Sequence, residues 1–250
     1  MSENKADILV IVEGAKTDVR LMERLFKLYK IDNRHQIVSY NTNIYALYNA
    51  VFIEVDDPNN IDLLLHLRSR ESDPNKKAIL SKTYVETLLI FDFDPHDPQY
   101  SDDKIREMAA FFTDSIEMGK LYINYPMVEA FYHMKSIPDE DYNSYTASMS
   151  ELKSSMYKAR VNKENRNGDY TKFAIDTDET STIIRQNIDK AWHVWRGGGS
   201  VETTPPNSVA VLGAQLSNMK NKQEVAVLCT CIFYIVDYNP VLLDEKLFDE

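Results

Sequence analysis

The chain has few of the residues that several common functional sites need. Among its 250 residues there are 7 glycines and 2 cysteines. The chain therefore has few glycines from which a phosphate-binding loop could form, and the P-loop pattern G-x-x-x-x-G-K-[ST] is absent. Cys229 and Cys231 are one residue apart, which is the spacing of neither a zinc knuckle nor a redox pair, so we expect reduced core residues of a cytoplasmic protein.

The sequence also lacks the signals of export and of membrane insertion. Its polar N-terminus leads into a strand without the basic and apolar regions of a secretory signal. The longest apolar run, residues 225–236, is shorter than the roughly 20 residues that span a bilayer. We therefore expect no membrane association, and we predict a buried helix over this run.

Basic residues are in the minority. The 28 Lys and Arg against 39 Asp and Glu give a formal net charge of −11. Nonspecific nucleic-acid binding depends on Lys and Arg that neutralise phosphates, so this composition argues against a protein that coats nucleic acid. The apolar fraction of 44% is that of an ordinary globular protein.

The first half of the chain alternates strand and helix patterns. Residues 8–12 and 88–91 are continuous apolar runs, typical of central parallel strands, and residues 36–40 and 121–124 are weaker strand candidates. Helical periodicity separates these runs, as in a parallel sheet with crossover helices. The second half has helical patterns and a Gly- and Pro-containing linker at 196–206. We predict an α/β domain over 1–138 and an all-helical extension over 139–250.

Acidic residues follow the predicted strands at the ends where parallel sheets bind ligands. Glu13 follows the first strand, Asp92 and Asp94 follow the third, and Glu129 comes shortly after the fourth. Asp92 and Asp94 are two residues apart and share one face of an extended chain. Carboxylates gathered in this way suit Mg²⁺ or Mn²⁺, although an isolated Asp-x-Asp is more often a helix-capping loop.

These segments resemble the TOPRIM domain. VIVEGAKTDVRLMERL is similar to its first motif, LLIFDFD to its Asp-x-Asp motif, and NYPMVEAF to the Asn-x-Pro-x-x-Glu region of TOPRIM-like phage-defence proteins. Those proteins include the OLD nucleases, RloB-type proteins and the nuclease subunit of the PARIS system. The resemblance covers residues 6–135, and the helical tail resembles no family.

The resemblance implies roles for individual residues. Glu13 matches the glutamate that acts as general base, general acid or metal ligand, and Asp92 and Asp94 match the pair that binds Mg²⁺. Asp18 matches a less constant acid, and Gly14 permits a tight turn beside the metal. Glu129 is a candidate for a further ligand.

A lysine from beyond the acidic motifs often assists TOPRIM-type nucleases. The segment 151–172 is locally basic, and from it we single out Lys158 as the catalytic candidate. Four other cations are candidates for substrate phosphate contacts: Lys16, Lys153, Arg160 and Lys163. The alternative for this segment is a solvated helix with internal ion pairs.

The resemblance predicts a Mg²⁺- or Mn²⁺-dependent endonuclease that hydrolyses DNA or RNA phosphodiester bonds. Anti-phage defence by abortive infection is the expected setting, with the chain as a toxin-like effector. Since OLD nucleases carry an ATPase and this chain has no P-loop, we expect a separate ATPase partner, and a homo-oligomer is compatible with this prediction.

Two alternatives stay open. The chain could be a non-catalytic TOPRIM-like subunit that binds a nucleotide or a partner. The segment IFDFDPHD also superficially resembles the motif of aspartate-nucleophile phosphatases. That family places its motif at the first strand, and His96 stands where it needs Thr or Val.

Overall fold

A computed structural model describes residues 7–198 and 202–243. Its main feature is a mixed, mostly parallel five-stranded sheet flanked by helices, with strand order β2-β1-β3-β5-β4. The strands are β1 Ile8–Val12, β2 His35–Ser39, β3 Glu86–Asp92, β4 Thr113–Asp114 and β5 Gly119–Asn124. The first strand is parallel to both β2 and β3, whereas β4 and β5 form an antiparallel hairpin. The predicted α/β class is confirmed at this level.

Ten α-helices lie within the described residues. They are α1 Thr17–Leu28, α2 Ile44–Tyr48, α3 Leu63–Arg70, α4 Pro74–Leu80, α5 Asp102–Phe111, α6 Met149–Lys153, α7 Met156–Glu164, α8 Thr177–Arg196, α9 Ser208–Lys222 and α10 Tyr234–Tyr238. Among the described residues, none of these helices combines the length and the apolar composition needed to cross a membrane.

The chain divides into two compact units, each made of two segments. The first unit comprises Met1–Phe91 and Asp103–Leu121, and the second comprises Asp92–Asp102 and Tyr122–Glu250. The sheet belongs to the first unit as far as Phe91 in β3 and Leu121 in β5. The acidic stretch after β3 therefore belongs with the C-terminal half of the chain, while the boundary predicted near residue 138 stays a prediction.

The core of the first unit follows from its strand sequences. All five residues of β1 are buried, as are Leu88 to Phe91 in β3, because a central strand has apolar neighbours on both faces. In α1, Leu21 and Leu25 lie one turn apart and are both fully buried. The continuous apolar runs in the sequence thus mark the two innermost strands.

The second unit contains more than helices. Two short strands, β6 Thr146–Ser148 and β7 Glu224–Ala226, pair antiparallel. The prediction of an all-helical extension is therefore not confirmed. Within the basic segment 151–172, α6 ends before Ser154 and α7 begins after Ser155, which has a left-handed φ of 57°.

The apolar run at 225–236 is buried as predicted, but only its end is helical. It begins in β7, continues through a β-bridge at Leu228 and a 3₁₀ helix over Cys231–Phe233, and reaches α10 at Tyr234. Two polar side chains accept hydrogen bonds from buried backbone amides of this run. Asn187 Oδ1 accepts from Cys229 N at 2.9 Å, and Asn124 Oδ1 accepts from Cys231 N at 3.2 Å. The two cysteines are buried and are not joined by a disulfide bond.

Candidate active site

The acidic stretch after β3 is held by backbone and side-chain hydrogen bonds within the second unit. Phe93 N donates to Asn124 O at 3.0 Å, which carries the strand pairing beyond Asp92. Phe93 is fully buried, whereas Asp92 and Asp94 on either side are partly exposed. The burial thus alternates along Asp92, Phe93 and Asp94.

Asp92 is fixed by the segment that carries Glu129. Its Oδ1 accepts from Val128 N at 2.8 Å, at the start of a 3₁₀ turn over Val128–Tyr132. The segment NYPMVEAF, which resembles a region of TOPRIM-like proteins, therefore lies directly beside the Asp-x-Asp motif. Glu129, the second residue of this turn, has a side chain that is 3% exposed.

Asp94 occupies a position of concentrated negative charge. Its φ of 39° is left-handed, and Asp97 N donates to its carbonyl at 3.0 Å, so the chain turns sharply after the motif. Burial raises the pKa of the Asp94 carboxyl above its usual range, and the Asp97 and Glu129 carboxylates raise it further, while His96 lowers it. Three carboxylates thus influence one another here, including Asp97, which the sequence motifs did not single out.

Lys158 supplies the positive charge of this cluster. Its ammonium group, on α7, forms an ion pair with Glu129 Oε1, and the lysine side chain is 57% exposed. A buried carboxylate is costly without a compensating charge, so this contact stabilises the ionised Glu129. The sequence identified both residues, but their separation along the chain gave no sign that they would touch.

The other basic candidates of the segment 151–172 are mostly engaged elsewhere. Arg160 pairs with Glu151 at 3.1 Å and donates to Thr146 O at 2.6 Å. Lys153 and Lys163 are exposed, and no described residue forms an ion pair with either. Among these basic candidates, Lys158 therefore contacts a candidate metal ligand, Glu129.

A hydrogen-bonded histidine lies in the same unit. His133 is 1% exposed, its Nε2 lies 3.1 Å from Glu164 Oε2, and its Nδ1 lies 3.2 Å from the hydroxyl of Tyr157. Because an ionised carboxylate only accepts, Nε2 carries the proton and Nδ1 accepts from Tyr157. Burial lowers the pKa of His133 to about 4, although the Glu164 contact opposes this shift.

Glu13 and Lys16 belong to the first unit. Glu13 directly follows β1, and its amide donates to Ile90 O at 3.0 Å. Lys16 is exposed in the turn before α1. A Cβ at Gly14 would come within 2.5 Å of the Asp18 carboxylate, and Asp18 is 5% exposed. The Glu-Gly turn therefore leaves room for a buried acid on α1, which is a packing reason for glycine at this position.

Three carboxylates of this region have the donor atoms of a metal site. Carboxylate oxygens are the donors that Mg²⁺ prefers, so Asp92, Asp94 and Glu129 fit a hard divalent cation in chemical type. Across residues 7–198 and 202–243, no three His, Cys, Asp or Glu side chains converge closely enough to hold an ion. The Glu129 carboxylate instead forms its ion pair with the ammonium group of Lys158.

No family model, curated protein or solved structure matches this chain.

Proposed function

We propose that this chain is a Mg²⁺-dependent hydrolase of nucleic-acid phosphodiester bonds. The observation that carries the proposal is the cluster of Asp92, Asp94 and Glu129 with Lys158 at the end of β3. The cluster combines acidic oxygens, which suit a divalent cation, with an ammonium group, which suits a phosphate. The resemblance of the surrounding motifs to TOPRIM nucleases points to the same chemistry.

The proposed roles follow from the character of each group. Asp92, Asp94 and Glu129 would supply carboxylate oxygens to the cation, and the resemblance to TOPRIM nucleases assigns Glu13 the role of general base or further ligand. A bound Mg²⁺ supplies Lewis acidity toward the phosphate oxygens. Lys158 stabilises negative charge that develops on the leaving oxygen, which is the contribution expected of a fixed cation in a hydrolase.

A toxin-like defence effector with a separate ATPase partner is the biological setting that we propose. The support for this setting is the resemblance to phage-defence proteins and the absence of a P-loop from the sequence. The proposal specifies the bond that is hydrolysed, a phosphodiester of DNA or RNA, and covers both polymers.

The second candidate is a non-catalytic subunit that binds a nucleotide or partner. The ion pair between Glu129 and Lys158 favours it, since a carboxylate already neutralised by an ammonium group has less need of a metal ion. This candidate predicts cation binding without turnover, or no cation binding.

Cleavage assays with the full chain separate the two candidates. Supercoiled plasmid, single-stranded DNA and total RNA are incubated with Mg²⁺, Mn²⁺ or EDTA, and calorimetry measures the metal stoichiometry in parallel. The hydrolase proposal expects cleavage of at least one substrate that depends on the metal and stops with EDTA. Metal binding without cleavage of any substrate would favour the regulatory subunit.

Lys158 offers a test of the proposed cation role. Lys158→Met keeps the aliphatic stem and removes the charge, so we expect kcat to fall at least about tenfold with a smaller change in KM. Lys158→Arg should restore part of the loss. Lys220→Met, which changes an exposed lysine on α9 of the same unit, is the matched control and should cleave at the rate of the unmodified chain. Equal rates for both methionine variants would remove Lys158 from the mechanism.

A further inference from the structure

The first unit contains a cavity at the carboxyl ends of β1 and β2. Its volume is about 260 Å³, somewhat below the range of roughly 300–1,000 Å³ that is typical of sites for drug-sized ligands. The sheet contributes Ile11 and Val38 to its lining, and the chain that leaves β2 contributes Tyr40. Parallel sheets bind ligands outside the carboxyl ends of their strands, so the cavity lies where a ligand site is expected.

Backbone hydrogen bonds connect this cavity to the Glu-Gly turn after β1. Tyr40 N donates to Val12 O at 2.8 Å, and Asn41 N donates to Glu13 O at 2.9 Å. The segment that lines the cavity therefore continues the pairing of β1 and β2 as far as Glu13. A group bound in the cavity lies close to the residue that we propose as general base or metal ligand.

The lining of the cavity combines apolar side chains with hydroxyl groups. Besides the two sheet residues, Ala46 of α2, Leu67 of α3 and Leu80 of α4 make it apolar. The hydroxyl residues are Ser39, Tyr40 and Thr42, which follow one another at the end of β2. No hydrogen bond joins any of these three hydroxyls to another residue within 7–198 and 202–243, so all three are available to a ligand.

The two charged side chains of the lining are already paired within the protein. Arg70 forms an ion pair with Glu54, and Glu71 forms one with Lys76 at 3.9 Å. Burial raises the pKa of the Tyr40 hydroxyl above its ordinary value, while Arg70 lowers it and Glu71 raises it. Tyr40 is therefore a neutral hydroxyl at pH 7, and the cavity suits an uncharged ligand with apolar surface and a polar edge.

We propose that this cavity binds a single nucleobase. The two apolar faces of a base bury against the aliphatic side chains, and the donors and acceptors on its edge meet hydroxyl groups, which can both donate and accept. The choice of a nucleobase among uncharged rings rests on the proposed function. A base reaches such a cavity only when it is outside a double helix, so the substrate class is single-stranded or locally opened nucleic acid.

Titration of the full chain with adenosine, guanosine, cytidine and uridine, followed by saturation-transfer NMR, tests this proposal. We expect saturable binding of at least one nucleoside and no binding of ribose, which is the control ligand. Ala46→Leu fills part of the cavity and should weaken nucleoside binding at least about tenfold. The matched control is Ala110→Leu, the same substitution at an exposed position of α5, which should leave the affinity unchanged.

Two further variants keep the shape of the cavity and remove one hydroxyl each. Tyr40→Phe and Thr42→Val should each weaken nucleoside binding by about fivefold through the lost hydrogen bond. Absence of saturable nucleoside binding would overturn the proposal, as would equal binding of ribose or an unchanged affinity in Ala46→Leu.

These measurements do not depend on cleavage, so they separate the two proposals. Nucleoside binding by a chain that cleaves no nucleic acid would support the cavity and contradict the hydrolase. Cleavage by a chain that binds no nucleoside would support the hydrolase and overturn the cavity as a nucleobase site.

Discussion

Asp92→Asn is expected to lower metal-dependent cleavage at least about a hundredfold, with the melting temperature of the chain nearly unchanged. Asparagine keeps an oxygen that can accept from Val128 N, as Asp92 Oδ1 does at 2.8 Å, so the turn that carries Glu129 is preserved. What the substitution removes is the negative charge that the proposed cation site requires. Initial rates at saturating Mg²⁺, beside thermal unfolding by circular dichroism, measure the two effects separately.

Glu13→Gln is the companion variant in the first unit. We expect a loss of at least about a hundredfold, because Glu13 is the proposed general base or ligand. Glu117→Gln, an exposed acid on the hairpin between β4 and β5, serves as the control. Cleavage by Asp92→Asn within about threefold of the unmodified rate would contradict the site, whereas a loss for Asp92→Asn alone would remove Glu13 from the mechanism.

The free energy of unfolding is expected to fall by about 3 kcal/mol between pH 7 and pH 4 through His133 alone. The pKa of this histidine is about 4 in the folded chain and about 6.5 in the unfolded chain. Between these values the unfolded chain binds a proton that the folded chain does not, so stability is full above pH 6.5 and is lost as pH falls toward 4. The cause is burial, with Arg160 and Lys190 adding to it and Glu164 opposing it.

Chemical denaturation at several pH values measures this effect by comparison of variants. His133→Gln has no ionisable group, so its free energy of unfolding should fall by about 3 kcal/mol less over the same interval. The control is Asn162→Gln, which replaces an exposed residue that has no ionisable group and should follow the unmodified chain. Parallel curves for His133→Gln and the unmodified chain would show that His133 does not titrate in this way.

The strands of the first unit could be read from the sequence because their signal is local. Continuous apolar runs identify β1 and β3 without knowledge of their neighbours, since a strand covered on both faces needs no polar residue along its length. The period of two also predicts that Asp92 and Asp94 share one face, although the left-handed φ of 39° at Asp94 takes that residue out of the extended conformation. The structure confirms the strands that the apolar runs predict.

Other features depended on contacts between distant segments. The apolar run at 225–236 predicted a helix, but the amides of Cys229 and Cys231 donate to Asn187 and Asn124, and only a 3₁₀ helix and the start of α10 at the end of the run are helical. The short pair of β6 and β7 likewise needs a partner 78 residues away, as the hydrogen bond between Thr146 and Glu224 shows. The apolar composition of a segment predicts that it is buried. Whether its backbone is helical also depends on which polar side chains of distant segments lie close enough to accept hydrogen bonds from its amides.

The acidic motif and its candidate residues came from the sequence alone, and so did the prediction of buried, reduced cysteines. Only the tertiary structure decided that Lys158 lies on Glu129, that Arg160 is engaged by Glu151, and that His133 links Tyr157 to Glu164. The physical reason is range: strand and helix periods act over a few residues, but the partner of a buried charge is whichever group the folded chain brings within about 4 Å.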